Sequence, residues 1–329
     1  MKKNIAIIMG GYSSEYGISI KSGNVVFKHL DREKYAPYRI IIARNKWVYL
    51  DENDRETGVN RHDFTIALNG KTIVFDCVFN AIHGTPGEDG YMQAYLALLG
   101  IPHTSCDYYQ AALTFNKRDC LAVLKPYEIP CAASYYLNKG DAIASDAIIA
   151  KVGLPCFVKA NRSGSSYGVS KVNAAEALIP AIENAFTEDD EVLIEAFLDG
   201  TEVSVGVITY KGEVTVLPAT EIISENEFFD YEAKYLGKSR EITPARIPAE
   251  LAARLAETAR KVYTALNLKG FSRSEYIFVD GIPHLLEVNT IPGLTEESLL
   301  PQQARAAGIA LSELFENAIE AALDSRHRL

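Results

Sequence analysis

Lys159 and the segment Asn161-Arg162-Ser163-Gly164-Ser165-Ser166-Tyr167-Gly168 combine one cation with small, donor-rich residues. Glycines let backbone N–H groups approach phosphate oxygens, hydroxyls add donors, and lysine supplies charge. The pattern is not GxxxxGK[ST], so it is not a P-loop. A phosphate cradle and an ordinary surface loop both fit these residues. Glu287-Val288-Asn289 suggests a second chemistry. Alternation along a strand puts Glu287 and Asn289 on one face, with Glu275 on the neighbouring strand across the turn Asp280-Gly281. Two carboxylates and an amide oxygen suit Mg²⁺, which takes oxygen donors and often bridges carboxylates to nucleotide phosphates. Without a cation such carboxylates repel. Solvated strand-end carboxylates are the alternative. Arg273 shares the face of Glu275 and is placed to stabilise developing negative charge.

Three further segments stand out. Gly10-Gly11-Tyr12-Ser13-Ser14-Glu15 follows a first strand, and GxGxxG is absent. A plain strand–turn–helix connection explains it as well as a ligand loop does. His83-Gly84-Thr85-Pro86-Gly87-Glu88-Asp89-Gly90 follows a strand ending at Phe79. The carboxyl end of a parallel strand is a place for ligand contact, although a lone histidine is more often structural. Asp230-Tyr231-Glu232-Ala233-Lys234-Tyr235 lies in a polar, aromatic stretch, 224–241, with no clear period. A lid over a reaction and a solvated excursion both fit it.

These residues need elements to hold them. Ile5–Met9 reads as a buried parallel strand and 17–30 as a helix. Tyr38–Ala43 and Thr72–Phe79 read as strands, and 91–99 as a helix stopped by Gly100-Ile101-Pro102. One helix is expected over 108–127, ended by Pro126. Ile148–Gly153 closes a helix, 174–186 forms another, and strands are expected at Cys156–Ala160, Glu191–Phe197, Glu202–Tyr210, Phe271–Val279 and His284–Val288. Helices are expected over 248–266 and 311–324. Strands alternating with helices imply a parallel α/β domain over about 1–100, with later breaks near 101–116 and 188–190.

Composition narrows the class. The chain has 329 residues, 48% hydrophobic, with 33 basic and 43 acidic side chains and a formal charge of −10. That argues against a general nucleic-acid or membrane-surface binder. The five cysteines are widely spaced without CxxC, which fits a reducing compartment. The first apolar run is too short for a signal-peptide core, and no run is long enough to span a membrane. A cytoplasmic protein is expected.

Taken in order, GGYSSE (10–15), HGTPGEDG (83–90), NRSGSSYG (161–168), DYEAKY (230–235) and LLEVNTIPGLTEESLLP (285–301) closely resemble the D-alanine–D-alanine ligase family of the ATP-grasp superfamily. The match runs from Gly10 to about Gly308. The resemblance implies an α/β and α+β protein, with an N-terminal parallel α/β domain followed by a two-part ATP-grasp fold. It divides the chain into a substrate-binding domain (1–100), a central subdomain (101–190) and a catalytic subdomain (191–329). It implies ATP-dependent joining of two D-alanines through an acyl phosphate, for peptidoglycan. Lys117, Lys159 and Ser166 would contact ATP phosphates. Glu195, Phe197, Leu198 and Glu202 would form the adenine and ribose pocket. Glu275, Glu287 and Asn289 would hold two Mg²⁺ ions, with Mn²⁺ a substitute. Glu15 would bind the first ammonium, tied to the lid through Ser165 and Tyr235. Arg273 and the Gly293 N–H would form the oxyanion hole. Lys234, Ser298 and Leu299 would hold the second D-alanine, with His83 near the first. A homodimer is common among similar proteins.

Three positions depart from the pattern. Glu275 stands where the family usually has Asp, Ala160 where Pro is common, and Ser163 where Glu is frequent. Tyr235 after Lys234 resembles the amide-forming members, whereas ester-forming relatives typically carry Phe. The competing readings are another ATP-grasp carboxylate–amine ligase, for an L-amino acid or D-lactate, and a nucleotide-binding module that has lost its chemistry.

Overall fold

The computed structural model describes residues 2–164, 168–224 and 239–324. The first sheet contains β1 (Lys3–Gly10), β2 (Tyr35–Ile42), β3 (Trp47–Leu50), β4 (Glu56–Asn60), β5 (Thr65–Leu68), β6 (Lys71–Ile73) and β7 (Cys77–Asn80). Their order is β6-β5-β4-β3-β2-β1-β7. Only β2-β1-β7 is parallel, and the other pairings are antiparallel. From Ile5 to Met9 β1 is apolar and buried, because both faces are covered. Ile5, Ile7 and Met9 belong to one core, and Ala6 and Ile8 to another with Met92 and Leu96. α1 (Tyr16–His29) and α2 (Tyr91–Leu98) follow the carboxyl ends of β1 and β7. β1 lies between β2 and β7, so connections leave it in opposite directions and open a crevice there.

Two expectations are corrected here. The single strand expected over Thr72–Phe79 is two strands, β6 and β7. Asn4 separates them: its N–H donates to Asp76 Oδ2 at 2.9 Å and its Nδ2 to the Val74 carbonyl at 2.9 Å. These bonds draw residues 74–76 out of the β5–β6 ladder. The single helix expected over 108–127 is α3 (Tyr108–Phe115), α4 (Lys117–Leu124) and a 3₁₀ turn (Lys125–Tyr127) that contains Pro126. Asn116 is extended, at φ −90° and ψ 99°, and its side chain accepts the Asp119 N–H. An asparagine that caps a new helix ends the old one.

The second sheet is antiparallel, in the order β10-β9-β11-β8. It contains β8 (Ser134–Asn138), β9 (Cys156–Ala160), β10 (Ser170–Val172) and β11 (Glu191–Ala196). α5 (Ser145–Val152) and α6 (Leu178–Glu188) seal one face with Ile148, Val152, Leu178, Ile182 and Ala185 against Val158, Val192 and Ile194.

The third sheet contains β12 (Thr201–Tyr210), β13 (Glu213–Val216), β14 (Thr220–Ser224), β15 (Ser239–Ile242), β16 (Phe271–Val279) and β17 (Ile282–Asn289). Its order is β15-β14-β12-β16-β17, with β13 also on β12. The ends of the expected loop 224–241 belong to β14 and β15, which pair with each other. α7 (Ala249–Ala265) buries Leu255, Ala259 and Val262 at helical spacing. α8 (Leu299–Ala306) and α9 (Leu311–Asp324) return to the first sheet. There Phe315 meets Phe79 edge-on at 5.7 Å, inside one core shared by β1, α1, α8 and α9. That shared core fixes the N-terminal loops against the third sheet.

The passage from β11 to β12 is tight at Gly200. A Cβ there would stand 1.8 Å from the Phe278 carbonyl oxygen. Gly200→Ala is expected to destabilise the chain by about 1–3 kcal/mol, the usual range for overpacking. Denaturant unfolding measures this, and an unshifted midpoint would contradict the close approach.

Candidate active site

One cavity is lined by Glu15, His83, Glu88, Lys117, Ser163, Gly164, Arg273, Glu287, Asn289 and Gly293 among others. Each comes from the end of an element. Glu15 precedes α1, and its N–H donates to Ser13 Oγ at 3.2 Å, while Ser13 Oγ donates to the His83 carbonyl at 3.0 Å. The loops after β1 and β7 are therefore joined. Gly164 from the loop after β9 faces them: a Cβ on it would meet Glu15 Oε2 at 2.9 Å.

The third sheet supplies the carboxylate pair. Glu275 lies directly opposite Glu287, and Arg273 opposite Asn289, in antiparallel register. All four side chains therefore share one face, brought there by a register shift between Glu275 and Tyr276 that skips Leu286. Arg273 Nη1 donates to Ser204 Oγ at 3.0 Å and also pairs with Glu275 Oε1. Lys117 Nζ lies 3.3 Å from Glu287 Oε2 and donates to the Ser163 carbonyl at 2.8 Å. Among the described residues no cluster of three or more His, Cys, Asp or Glu could hold a metal alone. Two carboxylates and the Asn289 oxygen are nevertheless hard donors. Such a set fits a small oxygen-seeking cation whose remaining ligands come from phosphate.

Behind this pair lies the group assigned to the nucleotide. Lys159 on β9 contacts Glu195 on β11 at 2.7 Å. Burial would lower the Lys159 ammonium, but Glu195, then Glu287 and Glu275, outweigh it and hold the pKa above the ordinary lysine value. The other Glu195 oxygen, Oε1, is buried with no hydrogen-bond partner among the described residues. A buried acceptor left open is costly and suits an incoming donor. Phe197 stacks obliquely on Phe157 at 6.2 Å, with the Lys171 ammonium 4.7 Å from its ring centre. Leu198 is half-buried beside it, and Glu202 begins the next strand.

His83 is buried and its role is structural in part. Its Nδ1–H donates to the Ile291 carbonyl at 2.8 Å, the only role open to a nitrogen facing a carbonyl. Nε2 then accepts from Ser22 Oγ at 3.0 Å, and Ser22 Oγ accepts the Leu294 N–H at 3.2 Å. Burial pushes the His83 pKa below its ordinary value, against the Glu15 carboxylate that raises it. The neutral ring thus sets the 290–294 loop and Gly293 over the cavity. Ser298 precedes α8, its Oγ accepts the Thr295 N–H at 3.1 Å, and Leu299 packs on Ile222. They border the loop from Gly293 rather than line the cavity. Ser165, Ser166, Lys234 and Tyr235 lie outside the described residues.

Glu88 is the cavity residue the sequence reasoning missed. It sits in the quoted HGTPGEDG segment, but only the histidine there was singled out. Its Oε2 accepts the Gly84 N–H at 2.9 Å. Burial, and then the Glu15 charge, push its pKa up to about 8. No local sequence pattern reveals a carboxyl that folding buries beside another.

Solved structures similar to this fold include ligases. A D-Ala:D-Ser ligase from Enterococcus faecalis superposes with a TM-score of 0.88 at 33% identity, covering 98% of this chain and 100% of that one. A D-alanine–D-alanine ligase from Bacillus anthracis, complexed with ATP, gives a TM-score of 0.80 at 31% identity, covering 99% of each chain. The protein therefore has the ATP-grasp ligase fold. Family models described as D-ala D-ala ligase N-terminus and C-terminus match residues 4–106 and 123–320. D-alanine–D-alanine ligases from Flavobacterium johnsoniae and Christiangramia forsetii are 66% and 60% identical to it. They cover 98% and 99% of this chain and 99% and 100% of their own lengths. The chain belongs to the D-alanine–D-alanine ligase family.

The raised Glu88 pKa has a pH signature. The folded state keeps this proton up to about pH 8, whereas the unfolded group loses it near 4.5. The folded state therefore binds more protons between those values, and stability falls as pH rises through them. Glu88→Gln is expected to flatten this decline. The difference in unfolding free energy between variant and parent, followed from pH 4 to 9, checks it. A pH-independent difference would refute the raised pKa.

Proposed function

We infer that this chain joins two D-alanine molecules into D-alanyl-D-alanine for peptidoglycan synthesis, at the expense of ATP. Family membership over the full length supports the reaction. The observation that carries the site assignment is the cavity in which Glu15, Arg273, Glu287, Asn289 and Gly293 meet, with Glu275 opposite Glu287 in the sheet beside it.

The first D-alanine sits with its ammonium at Glu15, near His83, and its carboxylate toward the third sheet. Lys117 and Lys159 hold the ATP phosphates, with Ser166 of the Ser/Gly loop. Glu195, Phe197, Leu198 and Glu202 hold adenine and ribose. The substrate carboxylate attacks the γ-phosphorus, ADP leaves, and an acyl phosphate forms. The amine of the second D-alanine, held by Lys234, Ser298 and Leu299, then attacks the acyl carbon. The tetrahedral oxyanion is met by Arg273 and the Gly293 N–H, and phosphate departs. Preorganised donors aimed at developing charge are the main catalytic device here. Glu275, Glu287 and Asn289 hold Mg²⁺, two ions or Mn²⁺ in their place. When bound, these cations neutralise the transferring phosphoryl group. Glu275 is one methylene longer than the usual Asp, yet it keeps the charge and donor type, and its strand register with Glu287 supports the same task. Ser165 and Tyr235 link the lid to Glu15.

The chain is read as three parts, 1–100, 101–190 and 191–329; three sheets support a three-part division, although β11 (Glu191–Ala196) completes the second sheet and the third sheet begins at Thr201. The same reading makes the protein a cytoplasmic homodimer that acts on small molecules, not on nucleic acid or membrane. No helix among the described residues is long and apolar enough to cross a membrane.

Phosphate release with ATP, Mg²⁺ and D-alanine tests the reading, with L-alanine, D-serine and D-lactate as comparators. D-alanine alone is expected to suffice and to yield the dipeptide. Release that requires another acceptor would overturn the substrate. Glu287→Ala is expected to lower kcat at least about 1000-fold, the scale of losing transition-state charge stabilisation. A near-normal kcat would remove Glu287 from the metal site.

A further inference from the structure

We propose that Asn161 is a positioning residue that caps α4 from a distance and thereby aims Lys117. The functional side of this rests on the reading above, in which Lys117 meets ATP.

The first amides of a helix have no partner within it. In α4 these are Lys117, Arg118 and Asp119. The Asp119 N–H donates to Oδ1 of Asn116, the adjacent cap, at 3.0 Å. The other two are met from elsewhere in the chain. The Lys117 N–H donates to the Asn161 carbonyl at 3.4 Å, and the Arg118 N–H donates to Asn161 Oδ1 at 2.8 Å. Asn161 stands two residues after Lys159, at the end of β9.

Its remaining polar atoms are also bound. The Asn161 N–H donates to the Glu191 carbonyl at 3.0 Å. Nδ2 donates to Asn116 Oδ1 at 2.7 Å and to Glu191 Oε2 at 2.6 Å. Asn116 Nδ2 and Arg118 Nη2 converge on that same Glu191 oxygen at 3.0 and 3.1 Å. Asn161 is 0% exposed. A fully satisfied buried amide has one orientation, because any rotation orphans several groups at once. Next in the chain, Arg162 forks onto Asp189 with contacts of 3.1 and 2.6 Å. Burial would raise the Asp189 carboxyl, yet the Arg162 bonds outweigh it and hold it below the ordinary range.

α4, the end of β9 and the start of β11 are thus one rigid node. Lys117 is the first helical residue of that node, and Ser163, whose carbonyl receives its ammonium, is two residues past Asn161. Aspartate at 161 would lack the Nδ2 donor and face Glu191. Alanine would leave the Arg118 N–H and the Glu191 carboxylate short of partners.

The test is acetylation of lysines by acetic anhydride, read residue by residue by mass spectrometry on the full-length protein. Lys28, 71% exposed in its side chain, is the internal reference. Asn161→Ala removes three side-chain hydrogen bonds and is expected to raise Lys117 labelling at least about tenfold relative to Lys28. Glu191→Gln keeps an acceptor and is expected to stay within about twofold of the parent. KM for ATP should rise about tenfold in Asn161→Ala with KM for D-alanine unchanged. Unchanged Lys117 labelling in folded Asn161→Ala, or an equal rise at every buried lysine, overturns the proposal. If Asn161→Ala does not fold, Glu191→Ala removes the shared acceptor and must raise Lys117 labelling in the same way. Saturating ATP and Mg²⁺ should protect Lys117 in the parent. Absent protection with the Asn161 effect intact would fail the nucleotide reading and leave the positioning role standing.

Discussion

The contact between Lys117 and Glu287, 3.3 Å across, is the interaction on which the rest of the site depends. It joins three segments that are distant in sequence. Lys117 begins α4, Glu287 ends β17, and the same ammonium binds the Ser163 carbonyl in the loop after β9 at 2.8 Å. One cation thereby fixes the gap between the second and third sheets. On the proposed reading that gap holds a nucleotide's phosphates, so a small error in it would displace the reacting atoms.

The contact also answers a charge problem. Glu15, Glu88 and Glu287 face one cavity, with Glu275 beside it. Carboxylates this close cannot all stay charged in a poorly solvated place without compensation. The protein uses three remedies. Lys117 and Arg273 pair with Glu287 and Glu275. Glu88 keeps its proton, with a pKa near 8. On the proposed reading, bound cations and a substrate ammonium are the third. The neutral His83 contributes differently, by holding the loop of Gly293 to α1 and to the end of the first sheet.

Much of this was legible in the sequence. Alternation puts Glu287 and Asn289 on one face, and Arg273 and Glu275 on one face of the neighbouring strand, but the two pairs meet only because the register shifts between Glu275 and Tyr276, which the sequence does not announce. The buried run of β1, the amphipathic α7 and α9 and the strand at Cys156–Ala160 follow from period and propensity. What failed depended on side chains that bond across the sequence. Asn4 splits 72–79 from the far side of the sheet, and Asn116 splits 108–127 because it can cap as well as continue. The short antiparallel strands β3 to β6 lack a long apolar run to announce them. Glu88 and Asn161 acquire their roles from burial, which only the assembled chain defines.

On the proposed mechanism a D-alanine carboxylate in this cavity takes the γ-phosphoryl group of ATP before the amide forms. D-alanine labelled with ¹⁸O in its carboxylate tests it directly. Each turnover is expected to transfer one ¹⁸O atom to the released inorganic phosphate, detected by mass spectrometry. Phosphate that carries no label, with dipeptide formed at the normal rate, would contradict it.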